Sequence, residues 1–234
     1  MTHTLHLLPN VLDESQDHTL YLPAIMNEVV AALDGIIAES EKAARRFLKR
    51  FKTKKILQEM PVYLLNEHTK ENDLKELVTL LQTGTFGLVS DAGLPCIADP
   101  GSELVRLCHK QNIKVIAYPG PCSIILALML SGLSGQRFSF HGYLPKEQKE
   151  RFRQIKLFED SAKKFSETHI FIEAPYRNQN LLADFLNVLS DETRFCVAWD
   201  LTLPTQGVIS QTVKEWKKAA LLDLTDKPAI FLLS

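Results

Sequence analysis

The sequence predicts an α/β protein of two α/β domains, the first on a mainly parallel sheet with flanking helices and the second on a mixed sheet. Three observations predict it. Short apolar runs alternate with amphipathic stretches five times between Leu5 and Ala117, the rhythm of a parallel sheet covered by helices. Pro119-Gly120-Pro121 then breaks that rhythm with rigid turn residues. Beyond it, several apolar runs follow one another over short connections, which suits strands of mixed direction. The expected domains are residues 1–118 and 119–234.

Taken in order, Leu5 to Leu8 reads as a strand closed by Pro9-Asn10, and residues 11–22 read as irregular. Pro23 opens a helix with Ile25, Val29 and Leu33 on one face, spaced four apart. Gly35 ends it. Ile36 to Ala38 is the next strand, and a basic helix runs from Lys42 to about Phe51. Val62 to Leu65 is a strand ending at Asn66-Glu67-His68. A helix from about Asn72 to Leu81 turns Leu74, Leu77, Val78 and Leu81 inward. Phe86 to Val89 is a buried strand that empties into the small polar loop Ser90 to Gly93. Pro100-Gly101 starts a helix with Leu104, Val105 and Leu107 on its apolar side, and Ile113 to Ala117 is the fifth strand.

In the second half, a helix from Pro121 to about Leu130 is apolar nearly all round, so burial between layers is expected. Arg137 to His141, Ile170 to Ile172, Phe195 to Ala198, Gly207 to Ile209 and Ala229 to Leu233 read as strands. Helices are expected over 147–158, on to Leu189 after Arg177, and over 212–220.

Composition narrows the function classes. With 45% hydrophobic and 24% charged residues and a net charge of −1, the chain is an ordinary globular protein and not a polyelectrolyte binder. Cys96, Cys108, Cys122 and Cys196 form no C-x-x-C pair, so neither a zinc site nor a disulfide framework is expected, and a reducing cytosol suits them. No basic region followed by an apolar run marks a signal peptide. The apolar run Ile124 to Leu130 is far shorter than the roughly 20 residues of a membrane span. P-loop, G-x-G-x-x-G, G-x-S-x-G and H-E-x-x-H motifs are all absent.

What remains is a set of strand-end loops. Asn10, Glu39, Glu67 with His68, and Ser90-Asp91 follow the first four strands, and parallel strands gather such loops at one edge. Glu39 suits a general base or an anchor for a substrate hydroxyl, and equally a cap for the basic helix after it. His68 suits an acid/base group or a plain surface histidine. Glu173 and Arg177, four apart, suit a helical ion pair. Two basic groups stand out: Lys42, Arg45, Arg46, Lys49, Arg50, Lys52, Lys54 and Lys55, then Lys146, Lys149, Arg151, Arg153 and Lys156. Either could grip phosphates, or simply solvate a helix face.

Ser90-Asp91-Ala92-Gly93-Leu94-Pro95, Asp99-Pro100-Gly101 and Pro119-Gly120-Pro121-Cys122 resemble the signature loops of the tetrapyrrole methylase superfamily. They most resemble its branch that methylates a ribose 2′-hydroxyl of small-subunit ribosomal RNA. Arg137-Phe138, Gly142-Tyr143-Leu144-Pro145, Phe171-Ile172-Glu173 with Arg177, and Leu201-Thr202 extend the likeness from about residue 35 to the end. The resemblance implies a cytoplasmic, homodimeric methyltransferase that uses no metal and no membrane. It implies S-adenosyl-L-methionine in a cleft between the domains and RNA as the acceptor. By the same resemblance Pro9, Ser90, Asp91, Leu94, Cys122, Ser123, Glu173, Pro228 and Ala229 contact the cofactor. On that reading Glu39 and His68 are the candidates for orienting or deprotonating the acceptor hydroxyl, and Lys42 for stabilising charge.

The chain departs from the pattern at three places. The family's Pro-Thr-Pro-Ile-Gly-Asn reads Pro9-Asn10-Val11-Leu12, which alters a glycine loop. Ala-Glu-Asp-Thr-Arg reads Ala38-Glu39-Ser40-Glu41-Lys42, and His-Asp-His reads Asn66-Glu67-His68. A methyltransferase for a small molecule such as a tetrapyrrole, and a non-catalytic module that only binds cofactor or RNA, are the alternatives.

Overall fold

A computed structural model describes residues 3–53, 56–220 and 222–234. It divides into two compact units, Met1–Cys122 and Ser123–Ser234. The first holds strands β1 (Thr4–Leu8), β2 (Gly35–Ala38), β3 (Val62–Leu64), β4 (Thr85–Val89) and β5 (Lys114–Ala117). Its helices are α1 (Met26–Ala31), α2 (Glu41–Leu48), α3 (Glu71–Leu81) and α4 (Ser102–Lys110). Strand order is β3-β2-β4-β1-β5, and every pairing is parallel.

The alternating Cβ directions of the strands build two cores, one on each face. Leu8, Ile36, Ala38 and Val89 pack with Met26, Val30, Ala44 and Phe47 of α1 and α2. Leu5, Ile37, Phe86 and Leu88 pack with Leu77, Leu81, Leu104 and Cys108 of α3 and α4. Right-handed crossovers dictate this split: the chain steps one way across the sheet from β1 to β3, then back from β3 to β5.

The second unit holds α5 (Ser123–Ser131), β6 (Phe138–Tyr143), α6 (Gln148–Phe165), β7 (Thr168–Ile172), α7 (Asn178–Val188), β8 (Arg194–Trp199), β9 (Gly207–Thr212), α8 (Val213–Trp216) and β10 (Ala229–Leu233). Its sheet runs β6-β7-β10-β8-β9. Only β6 and β7 are parallel; the other pairs are antiparallel, so the sheet is mixed. Phe171, Phe195, Ala229, Phe231 and Leu233 pack beneath α6, α7 and α8.

Four expectations need correction. In α1 the buried side chains are Met26 and Val30, while Ile25 is exposed. Both pairs are spaced four apart, and spacing alone leaves the phase of a short helix open. Helix α5 is not buried all round: Ile124, Ala127 and Leu128 are buried, whereas Ile125, Met129 and Leu130 are exposed, Met129 at 73%. A helix on a sheet covers it with one side, and an all-apolar sequence does not say which. Helix α6 runs through Phe165 rather than 158, because Ile155, Glu159 and Ala162 continue its buried stripe. Helix α8 has four residues rather than nine; Trp216 ends it with its indole N–H donated to the Phe195 carbonyl at 2.9 Å.

Glu159 ties α6 to the turn before β8. Its side chain is fully buried, and it accepts from Ser190 N at 2.8 Å, from the Thr193 hydroxyl, and from Lys156 and Lys163 at 2.5 and 3.1 Å. Burial alone would raise its pKa, but these donors outweigh burial and hold it at about 2. A carboxylate depressed on folding contributes stability that is complete above its unfolded pKa and is lost as pH falls toward the folded one. Glu159→Gln is therefore expected to cost about 1–3 kcal/mol at pH 7. In urea titrations that difference should shrink between pH 4.5 and about 2.

His141 and His169 form a part-buried pair, Nε2 to Nδ1 at 2.7 Å, with His141 packed on Phe158 and Phe171. Burial lowers both, His141 to about 4, and the neighbouring His169 adds to the His141 shift. Protonation then favours the unfolded chain as pH falls below 6.5. His141→Phe should flatten the loss of stability measured between pH 7 and pH 5.

Candidate active site

Parallel strands place all five exits of the first unit at one sheet edge: Pro9 after β1, Glu39 after β2, Leu65 after β3, Ser90 after β4 and Tyr118 after β5. Strand β4 lies between β2 and β1. Its exit leads to α4 on one face, while the exits of its two neighbours lead to α1 and α2 on the other. Chains that part to opposite faces leave a crevice at the strand ends, the topological switch point of an open α/β sheet.

Two side chains bridge this crevice. Asn10 is buried, and its Nδ2 donates to the Ser90 and Asp91 carbonyls at 3.1 and 2.9 Å. Its Oδ1 accepts the Val11 N–H at 2.9 Å, and its own N–H donates to Gly93 O at 2.8 Å. Glu39 comes from the other side, where its Oε1 accepts the Asp91 N–H at 3.3 Å. Asn66 extends the tie to β3, donating to the Glu39 carbonyl at 3.3 Å.

The loop between Ser90 and Gly101 is tightly coiled. Gly93 has φ +71°, and Cys96 and Ala98 hold left-handed backbone at 69° and 63°. Non-glycine residues adopt that region at a cost, and only a well-determined surrounding keeps them there. Gly120 packs against the Pro9 and Leu94 side chains, and it admits no Cβ there because one would sit 2.2 Å from the Pro9 side chain.

Three carboxylates meet at this edge. Burial raises Glu39 above the usual carboxylate range; the Asp91 N–H opposes that, and the charges of Asp99 and Asp91 add to it. Asp99 is also raised by burial, against a hydrogen bond from the Ser90 side chain. The helix after β2 is capped by Ser40, whose hydroxyl accepts the Ala43 N–H at 3.1 Å. Glu39 is thus not that cap, and its carboxylate faces the β4 exit instead.

The other sequence candidates lie on α2, on the loop after β3, or in the second unit. Lys42 is exposed in the first turn of α2. His68 is 84% exposed, with the Glu67 carboxylate 3.6 Å from its ring. In the second unit Glu173 follows β7, Ala229 starts β10, and antiparallel pairing of Ile172 with Ile230 sets them side by side. Pro228 accepts the Asp200 N–H at 3.0 Å, and Asn178 donates to Lys227 O at 2.7 Å, which fixes the approach to Pro228. Glu173 is buried and paired with Arg177 at 3.0 Å. Cys122 closes the first unit and Ser123 begins α5.

Much of the basic charge is already engaged. Arg45 donates to the Leu57 and Met60 carbonyls, Arg46 pairs with Glu14, and Arg50 reaches Gln16 O at 3.5 Å. Arg151 is buried against Asp184, and Arg153 and Lys156 pair with Glu150 and Glu159. Lys42, Lys49, Lys52, Lys146 and Lys149 are exposed, and Lys54 and Lys55 lie outside the described residues.

Residues 26–217 match the family model of the Tetrapyrrole (Corrin/Porphyrin) Methylases. The chain belongs to this family. Among family members it is similar to proteins named ribosomal RNA small subunit methyltransferase I. It is 38% identical to that of Vibrio cholerae over 75% of this chain and 58% of the relative. It is 34% identical to that of Thermotoga maritima over 80% of this chain and 81% of the relative. The chain thus spans less than two thirds of the Vibrio protein. The fold is that of diphthine synthase, with a TM-score of 0.63 at 13% identity over 98% of this chain and 88% of that one.

Sequence reading gave no role to Asn66 or Asp99, although both stand in the loops it singled out. The sequence marks Asn10 as a strand-end residue and Pro9-Asn10 as an altered glycine loop, but not the bridge that Asn10 supplies. Asn10→Ala removes two donors from buried carbonyls and should cost about 1–3 kcal/mol. Urea unfolding would measure it, and faster hydrogen exchange of the Asp91 amide would locate the loosened loop.

Proposed function

We propose that this family member is an S-adenosyl-L-methionine-dependent methyltransferase acting on a ribose 2′-hydroxyl of small-subunit ribosomal RNA. What carries the reading is the switch-point crevice, where Glu39 is held between the β2 and β4 exits beside Asp91 and Asp99. The relatives' name supplies the acceptor class.

The crevice suits such a cofactor. The carboxylates of Asp91 and Asp99 match a cation that also bears hydroxyls, and the Gly93 backbone at φ +71° allows close approach. By resemblance Pro9, Ser90, Asp91, Leu94 and Cys122 hold it, with Ser123, Glu173, Pro228 and Ala229 of the second unit. When bound, the cofactor supplies an electrophilic methyl on sulfur. Glu39 takes the proton of the acceptor hydroxyl, His68 orients that hydroxyl, and the Lys42 ammonium stabilises the charge developing on oxygen. Exact alignment of an in-line displacement is what such held groups contribute most. The chain works in the cytoplasm, which the four free cysteines suit, and as a homodimer, which the outward apolar side of α5 suits.

A small-molecule acceptor is the second reading. It is favoured by the internal engagement of Arg45, Arg46, Arg50, Arg151 and Arg153, which leaves fewer cations for RNA.

Tritiated methyl transfer into ribosomal RNA, with a small-ring acceptor in parallel, separates the two. Glu39→Gln should cut turnover by about 100-fold or more with cofactor affinity nearly unchanged. A base works when deprotonated, so the acid limb of the wild-type profile should lie above the ordinary carboxylate range and vanish in the variant. Unchanged turnover in Glu39→Gln would remove this residue from the chemistry.

A further inference from the structure

The second unit contains a cavity of about 240 Å³ whose lining no role above accounts for as a whole. Lys146, Arg151, Glu173, Arg177, Asn180 and Asp184 line it, all from the exits of β6 and β7 and the helices that follow.

Its acceptors are taken. Asp184 Oδ2 accepts from Arg151 Nε and Nη2, each at 2.6 Å, and Oδ1 accepts from Gln148 at 3.3 Å. Glu173 Oε1 accepts the Ala174 N–H at 2.8 Å, and Oε2 faces Arg177 Nη2 at 3.0 Å. Every carboxylate oxygen of the wall therefore has a donor, and each carboxylate is matched by one arginine.

Its donors are not all taken. Arg151 is consumed by Asp184 and by the Pro145 and Lys146 carbonyls at 2.9 and 2.8 Å, which anchors the loop that carries Lys146. Arg177 gives Glu173 one nitrogen of its fork. Among the described residues the Lys146 ammonium and the Asn180 amide have no hydrogen-bond or ion-pair partner. Three cations against two carboxylates leave the wall one charge positive. A cavity with satisfied acceptors, free donors and surplus positive charge takes an acceptor-rich anion.

We infer that this cavity binds a phosphate group, and, resting on the RNA reading above, that it seats a backbone phosphodiester of the substrate. Lys146 supplies the charge, Asn180 and the free edge of Arg177 the directed hydrogen bonds, and Arg151 acts as a positioning residue for Lys146.

The test uses the full chain with a labelled single-stranded RNA over a series of KCl concentrations, and inorganic pyrophosphate followed by NMR at the Asn180 side-chain amide. Lys146→Gln removes the charge, and Asn180→Asp places a carboxylate in the cavity. Each should weaken RNA binding roughly threefold to tenfold. Lys146→Gln should also lower the salt slope by about 0.7, one phosphate's share on a single strand. S-adenosylmethionine affinity should stay at the wild-type value in both. Lys149→Gln, in the first turn of α6 three residues further on and outside the cavity lining, should leave the slope nearly unchanged.

An equal slope change in Lys149→Gln would mean diffuse electrostatics and overturn the site. A loss of cofactor affinity in the two cavity variants would assign the anion to the cofactor's carboxylate and also overturn it. RNA binding that neither variant weakens sinks the site and leaves the RNA reading standing. Pyrophosphate shifting Asn180 in a chain that ignores RNA upholds the phosphate site and sinks the RNA reading. Binding of neither probe sinks both.

Discussion

The first unit depends on one constraint: five parallel strands with β4 inserted between β2 and β1. Parallel pairing requires crossovers, right-handed crossovers sort the helices onto two faces, and that sorting opens a crevice at the β4 exit. Both sheet faces are then buried, which is why Gly35–Ala38 is buried throughout although it alternates between two cores. The polar residues that matter sit where the strands end, because only there can a carboxylate face a ligand and not a helix.

Asn10 shows how a departure from a family's loop is accommodated. A glycine loop approaches a ligand by lacking side chains; here a single amide meets two carbonyls across the crevice and fixes the same neighbourhood by direct bonds. Glu39 works in the opposite sense. It is half-buried and lies among like charges, and its one long hydrogen bond only partly opposes them, so its environment keeps it ready to gain a proton.

The basic residues show why charge counts read from a chain mislead. The thirteen cations of the two groups look alike in sequence, yet several arginines serve the fold. Arg45 satisfies carbonyls of the 57–60 turn, and Arg151 is the buried partner of Asp184. The planar guanidinium can serve several acceptors at once, so arginine is drawn inward more readily than lysine, whose ammonium is strongly hydrated. Among the described residues of the two groups the lysines are exposed, and any contact with an anion falls mainly to them.

What the sequence by itself determined is the order of elements, the sheet types of both halves and the family. These are set by local periodicity, by turn residues and by motifs such as Ser90 to Gly93, all readable within a few residues of one another. Only the tertiary structure decided which side of α5 is exposed, which helix phase α1 buries, and that Ser40 rather than Glu39 caps α2. It also decided that Asn10 meets Ser90 and Asp91, eighty residues away in the chain, and that Lys146 and Asn180 share one cavity. Such facts depend on which strand lies beside which, and hydrogen-bond partners distant in the chain leave no periodic trace in it.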